Sequence, residues 1–198
     1  MGMATSEHIY HTADMVRELN AAEPRHWPRY ECVYGELLVS PAPRDWHQLV
    51  AQRVLIALTT YVERAHRDAL VYMAPADVSF GRDDVVVQPD VFVVSRVEAR
   101  AGLRGEGWKA ISGLLLAVEV LSQGTRRADR FSKRQLYQRQ GVPLYWVVDP
   151  ETRTAEVWTP DAHFPAIERE TLVWHPAGAL EPFTSDLAAL FAALFAEP

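Results

Sequence analysis

Only one cysteine, Cys32, occurs in 198 residues. An intramolecular disulfide is excluded, and a reducing, cytoplasmic setting is expected. No apolar run approaches the length of about 20 residues that spans a bilayer, and the polar opening stretch 1–8 is no secretory signal, so no membrane partner is expected. The start fits a myristoylation pattern at Gly2 and Ser6, a match short enough to arise by chance. Positive charge is in deficit: 20 Lys+Arg stand against 26 Asp+Glu, a net charge of −6. That excludes a surface that is nucleic-acid footprint throughout. Lysine itself is scarce, since only Lys109 and Lys133 accompany eighteen arginines. No nucleophile-elbow sequence is present, which sets aside a Ser/His/Asp hydrolase. Nor is there a repeat, a low-complexity tract or a convincing boundary. One domain over 1–198 is expected, with 1–28 an N-terminal helix and loop and 184–197 a closing amphipathic helix. At 48% apolar composition it has material for a core.

What is present is a set of apolar strands, two of them interrupted by acid. In 114–121 seven of eight residues are apolar and the eighth is Glu119, a pattern for a strand covered on both faces. Alternation puts Ala117, Glu119 and Leu121 on one face and Leu116, Val118 and Val120 on the other. A carboxylate in such a wall either reaches solvent at a fraying strand end or needs a cation, a metal or a hydrogen-bond set. The stretch 85–94 repeats the pattern around Asp90. Pro89 cannot donate to a ladder, so this strand should bulge or lose a partner there. Two carboxylates at close range need a proton or divalent cation between them, and hard oxygen ligands favour magnesium or manganese over zinc.

Along the chain, Thr12 opens a short helix over 11–20, and 30–34 with 36–40 form a hairpin turning near Gly35. A long helix follows, with Asp45 and Gln48 as a capping box and Val50, Val54, Leu55, Leu58, Tyr61 and Val62 as its core stripe through about residue 64. Short strands are expected over 70–73 and 77–80, and a surface excursion over 96–110. A helix over 126–140 has Thr125 as N-cap and Gly141 as its stop. It carries six cations against Asp129, and its reading is either a solvated basic face or one turned to a polyanion that also aims Lys133 at the two acids. The strand 144–148 should pair in parallel with the Glu119 strand across this helix. Strands over 154–158 and 168–173 complete the list.

Several of these pieces together resemble a known family. Tyr34-Gly35-Glu36-Leu37, Ser40-Pro41-Ala42-Pro43, His47-Gln48, Gln88-Pro89-Asp90, Glu119-Val120-Leu121-Ser122, Lys133, Tyr137, Gly141-Val142-Pro143 and residues 145–150 fall in order. The set is similar to the Uma2-type (DUF820) branch of the PD-(D/E)XK restriction-endonuclease-like superfamily, from about residue 15 to 173. The resemblance implies an α/β (α+β) fold with a central mixed β-sheet flanked by helices, and metal-dependent hydrolysis of phosphodiester bonds. It implies Mg²⁺ or Mn²⁺ on Asp90, Glu119 and the Val120 carbonyl, with Glu36 either a third acid or an ordinary exposed strand-end carboxylate. Lys133 would be the catalytic lysine, Tyr137 would position it or the phosphate, and His47 and Gln48 would stand at the site rim. Leu121 occupies the superfamily's usual lysine position, and Lys133 would replace that lysine from the next helix. The implied partners are nucleic acid, DNA above all, and a second copy in a homodimer. The competing reading is a catalytically silent nuclease-fold dimer that only binds, which the acidic charge and Leu121 favour.

Overall fold

The structure, a computed structural model, describes residues 9–25, 27–192 and 194. The opening stretch 1–8 and the last turn expected of the closing helix lie outside the described residues. No helix among the described residues is long and apolar enough to cross a membrane.

Helix α1 (Ala13–Ala22) starts as its sequence implies, with the Thr12 side chain accepting from the Met15 amide. Strands β1 (Arg29–Val33) and β2 (Glu36–Ser40) form the expected hairpin, closed by Tyr34 and Gly35 at positive φ. Helix α2 (Asp45–Ala65) buries Val50, Val54, Leu58, Tyr61 and Val62. Its start is not a capping box. Arg44 is the N-cap and makes no side-chain cap bond, while Asp45 accepts from the Trp46 amide and Gln48 is exposed.

The central sheet has six strands in the order β3 (Ala69–Met73), β5 (Val91–Ser95), β6 (Leu116–Val120), β7 (Tyr145–Asp149), β8 (Thr154–Trp158), β9 (Ala166–Glu168), with β4 (Val85–Val86) placed elsewhere. Only β6 and β7 run parallel, joined by the expected helical crossover; the remaining pairs are antiparallel, so the sheet is mixed. Strict alternation feeds two cores. Val91, Val93, Leu116, Val118, Val120, Trp146 and Val148 pack under α2. Phe92, Val94, Ala117, Leu121, Tyr145 and Val147 pack on the opposite face, under Leu136 and Tyr137.

Several differences from the expected elements follow from chain chemistry. The stretch 85–94 is two strands, because Gln88-Pro89-Asp90 leaves the ladder: β4 pairs with β1 in a small sheet, β5 with the central one. Pro89 lacks the N–H that a continuous strand needs there. Residues 77–80 make only one bridge, Val78 to Val87, since Phe80 and Gly81 turn the chain at positive φ. Residues 168–173 divide between β9 and β10 (Thr171–Trp174), and residue 183 opens β11 (Phe183–Asp186), which pairs with β10. The closing helix α5 is therefore only Leu187–Ala192, buried through Leu187, Leu190 and Phe191. The excursion after β5 is a helix, α3 (Arg96–Ala101), continued by wider and tighter turns through residue 110.

The helix after β6 differs as well. It begins at Arg126, and Ala128–Lys133 is wound as a π-helix before α4 (Arg134–Arg139) resumes normal pitch. Thr125 is not its side-chain cap, because its hydroxyl turns back to the Ser122 amide at 3.3 Å. Asp129 and Lys133, four residues apart, both lie on the buried side of this π-helical turn. Such insertions are concentrated at functional sites.

Candidate active site

Two acids meet because of strand register. Val91 lies opposite Val118 in the β5–β6 pair, so the next residues along, Asp90 and Glu119, face each other at the end of the sheet. Pro89 has just released Asp90 from the ladder, and its Oδ2 accepts the Val120 amide at 2.8 Å and lies 3.1 Å from His47 Nε2. His47 reaches it from the first turn of α2. Lys133 enters from the π-helical turn on the other face. Its Nζ lies 3.0 Å from Glu119 Oε1, 2.9 Å from Glu31 Oε2 and 3.5 Å from Asp129 Oδ1. Tyr137, one turn later, donates from its hydroxyl to the same Glu119 oxygen at 3.1 Å.

Asp90, Glu119, Lys133, Tyr137 and His47 are thus gathered into one cluster. Gln48 lines the cleft above it, a cavity of about 810 Å³ into which Glu31, Asp90, Glu119 and Lys133 also open. Glu36 is not brought in. It is the exposed first residue of β2, and the third acid is Glu31 on the neighbouring strand, 2% exposed and fixed by the Gln88 amide at 2.6 Å. Leu121 is buried in the apolar core, so nothing at that position competes with Lys133.

Glu31 and Asp129 escaped the sequence reading, although both left a signal. Glu31 interrupts an apolar strand just as Asp90 and Glu119 do. Asp129 is the one acid on the basic helix, four residues before the lysine, a spacing that puts both on one face of a helix. Of the two readings of that helix, the aim of Lys133 at the acids is what the geometry gives, while most of its arginines are engaged by the chain's own groups. Arg126 binds Asp149 and Glu151, and Arg130 binds Asp149 and Glu156. Arg134 lies over the Trp158 ring and Arg139 over Tyr34.

The cluster is short of positive charge: four carboxylates (Glu31, Asp90, Glu119 and Asp129) surround Lys133 and His47. Burial pushes Glu119 well above the ordinary carboxylate range, with the neighbouring acids adding to the rise and Lys133 opposing it. Burial likewise raises Asp129 to about 6, against the pull of Lys133 and Thr125. Asp90 goes the other way: burial opposes its charge, but the His47 contact and the Val120 amide hold it below the usual value. Burial also opposes the charge of Lys133, yet Glu119, Glu31 and Asp129 raise it well above an ordinary lysine. The ammonium is therefore permanently charged near neutrality, and the surplus acid takes up either protons or a divalent cation.

The donor set fits such an ion in type. Asp90, Glu119 and a main-chain carbonyl are hard oxygens. Among the described residues no three of His, Cys, Asp and Glu come together as ligands.

A mixed sheet flanked by helices, with paired acids at a strand end, defines a nuclease-type fold, and a solved structure shares it. The crystal structure of a putative nuclease belonging to DUF820 from Anabaena variabilis ATCC 29413 superposes with a TM-score of 0.73 at 22% identity, over 93% of this chain and 99% of that one. Residues 16–183 match Uma2, the family described as "putative restriction endonuclease", and the chain belongs to that family. No curated protein matches it.

Proposed function

We propose that the chain is a metal-dependent nuclease hydrolysing phosphodiester bonds in nucleic acid, with DNA its first candidate substrate. One observation carries the reading. The lysine absent from position 121 is supplied from the following helix, and its ammonium sits 3.0 Å from the acid that faces Asp90. The family and fold matches support the same class.

In this reading Asp90, Glu119 and the Val120 carbonyl hold Mg²⁺ or Mn²⁺, which when bound acidifies a water and neutralises charge on the phosphate. The chain's own groups do the rest. Lys133 acts as a fixed positive charge and not as a base, because three carboxylates hold its proton. It stabilises the charge that grows on the attacked phosphate. Glu31 and Asp129 keep the ammonium in place, Tyr137 fixes Glu119, and His47 with the Val120 amide fixes Asp90. Titration of manganese by calorimetry into wild type and Asp90→Asn tests the ligand assignment, and equal binding by both would sink it. A manganese-supplemented cleavage panel of duplex, single-stranded, nicked and junction substrates tests the reaction.

A homodimer is the assembly that duplex cleavage by this site would require. Its interface does not come from the apolar face of α5, which is packed internally. Light scattering that returned one chain mass, 22.3 kDa, would refute it. The carboxylates that already hold Lys133 on several sides add to the acidic charge and Leu121 in support of the silent binding module. Cleavage of any member of the panel removes that alternative.

A further inference from the structure

The cleft does not end at the carboxylates. It continues along α2 from Asp45 to Leu55, with Met73, Ala74 and Pro75 on the facing wall. Ten helical residues span about 15 Å, room for about four stacked nucleotides at ~3.4 Å each. Past Asp45 and His47 at its start, the lining along this arm is apolar and amide in character. Leu55 and Met73 supply the apolar wall, and Gln48 and Gln52, one turn apart and exposed, supply amides. At the mouth the Arg29 guanidinium lies 4.7 Å over the Trp27 ring. Among the described residues the Lys and Arg side chains lining the cleft are Arg29 and Lys133, with His47 beside Asp90. The first is stacked on the indole, and the second is 3% exposed among its acids.

A duplex is gripped through its phosphates by rows of free Lys and Arg. Among the described residues this groove has no such row, which weakens a grip on the phosphates of any strand; a single strand can still be held through its exposed bases, whereas a duplex keeps them stacked inside. Aromatic rings, guanidinium planes, aliphatic walls and amides are instead the chemistry that receives unstacked bases. The acids and the ammonium also lie at the bottom of the cavity, where one extended strand reaches more readily than a rod-like double helix.

We infer that the groove along α2 binds single-stranded nucleic acid, bases against Leu55, Met73 and the Trp27–Arg29 platform, with one phosphodiester delivered to the Glu119–Lys133 end. The inference rests on the nuclease reading and names its substrate class. It needs one active site per strand cut, and so is independent of the dimer.

The test uses the full chain carrying Glu119→Gln, which blocks cleavage, in magnesium. A fluorescein-labelled single-stranded 10-mer and a blunt 20-base-pair duplex containing the same sequence are titrated by anisotropy. The single strand should bind about tenfold tighter or better. Adding Trp27→Ala should weaken it about fivefold or more, the scale of one lost stacking platform. Adding Gln52→Glu, an exposed change that leaves packing alone, should weaken it about threefold by placing an anion in the groove. Duplex binding as tight as single-strand binding would overturn the inference, as would single-strand affinity unmoved by both changes. Duplex preference together with cleavage in the substrate panel would leave the nuclease reading standing and remove only this one. Failure of both probes to bind and of every panel substrate to be cut would remove both.

Discussion

Two groups of charge share the helix over 126–139, one partly exposed and one buried, and they are built in opposite ways. Toward β7 and β8, Arg126 and Arg130 meet Asp149, Glu151 and Glu156, and every acid has an arginine within 3.5 Å. The Asp149 Oδ1 left over accepts the Glu151 amide at 3.0 Å. One turn further, Lys133 is the single full cation for Glu31, Glu119 and Asp129, with Asp90 beside them against His47. The first group is satisfied by the fold itself and needs nothing from outside. The second carries surplus negative charge in a buried place, which stability alone does not favour. An imbalance of that kind, opening into a cleft, is what marks a site.

The largest expected effect breaks the second group. Lys133→Met should lower any cleavage rate about 10²-fold or more, the scale for one electrostatic catalytic group. It also leaves buried acids without their cation, so stability at neutral pH should fall by about 3–5 kcal/mol. Lys133→Arg keeps a charge and should recover much of the stability but not the rate, because the planar guanidinium does not fit a point ammonium's place. Urea denaturation beside a cleavage assay separates the two quantities. Cleavage near the wild-type rate by Lys133→Met would show that the lysine is not catalytic.

Breaking the balanced group should look different. Arg130→Ala removes a partner from both Asp149 and Glu156 and should cost about 1–3 kcal/mol, less than a fully buried pair because Arg130 is partly exposed. Metal binding and chemistry should be unchanged. A loss of manganese affinity in this variant, measured by calorimetry, would mean that the two groups are coupled and that the contrast drawn between them is false.

Relieving the surplus should stabilise. Asp129 titrates at about 6 in the folded chain, against an ordinary value of 3.8. Between those values the folded state holds the proton more firmly than the unfolded state, so this carboxyl's contribution to stability falls as pH rises through that window. Asp129→Asn removes the dependence, and at pH 7 it should gain on the order of 1–2 kcal/mol. The gain should vanish below about pH 4. Denaturant midpoints at pH 4 and pH 7 check it, and a variant less stable than wild type at pH 7 would show that the Lys133 contact outweighs the cost of burial.

The sequence announced the sheet more fully than the cluster. Apolar strands with strict alternation and a parallel crossover are local patterns, and β5, β6, β7 and β8 appear where those patterns place them. Asp90 and Glu119 were legible for the same reason, as acids where a buried strand allows none. The split at Pro89 was foreshadowed by its missing N–H, but the change of sheet at that point depends on β1, more than fifty residues away, and no local signal encodes it. The spacing of Asp129 and Lys133, four residues apart, puts them on one face, but that this face of a basic helix turns inward depends on tertiary packing that no local signal encodes. The C-terminal hairpin was hidden because residues 184–192 have helical apolar spacing, while β10 offers the first of them an edge to pair with.

The smallest expected effect concerns Glu36, and its smallness is informative. Glu36 and Glu31 lie on paired strands of one hairpin, and the former was a candidate third acid. Glu36 is exposed, pairs in register with Val33, and has no contact with Lys133 among those described. Glu31 lies opposite Leu38 and meets the ammonium at 2.9 Å. Glu36→Gln should therefore change stability by no more than about ±0.5 kcal/mol, the usual range for an exposed site, and leave manganese affinity and cleavage as they were. Glu31→Gln keeps the shape but removes one of the carboxylates that hold Lys133, and should move all three. Calorimetry, denaturation and cleavage on the two variants side by side make the measurement. If Glu36→Gln lost metal binding while Glu31→Gln kept it, the hairpin would have to present its opposite edge to the site, and the cluster around Lys133 would be structural.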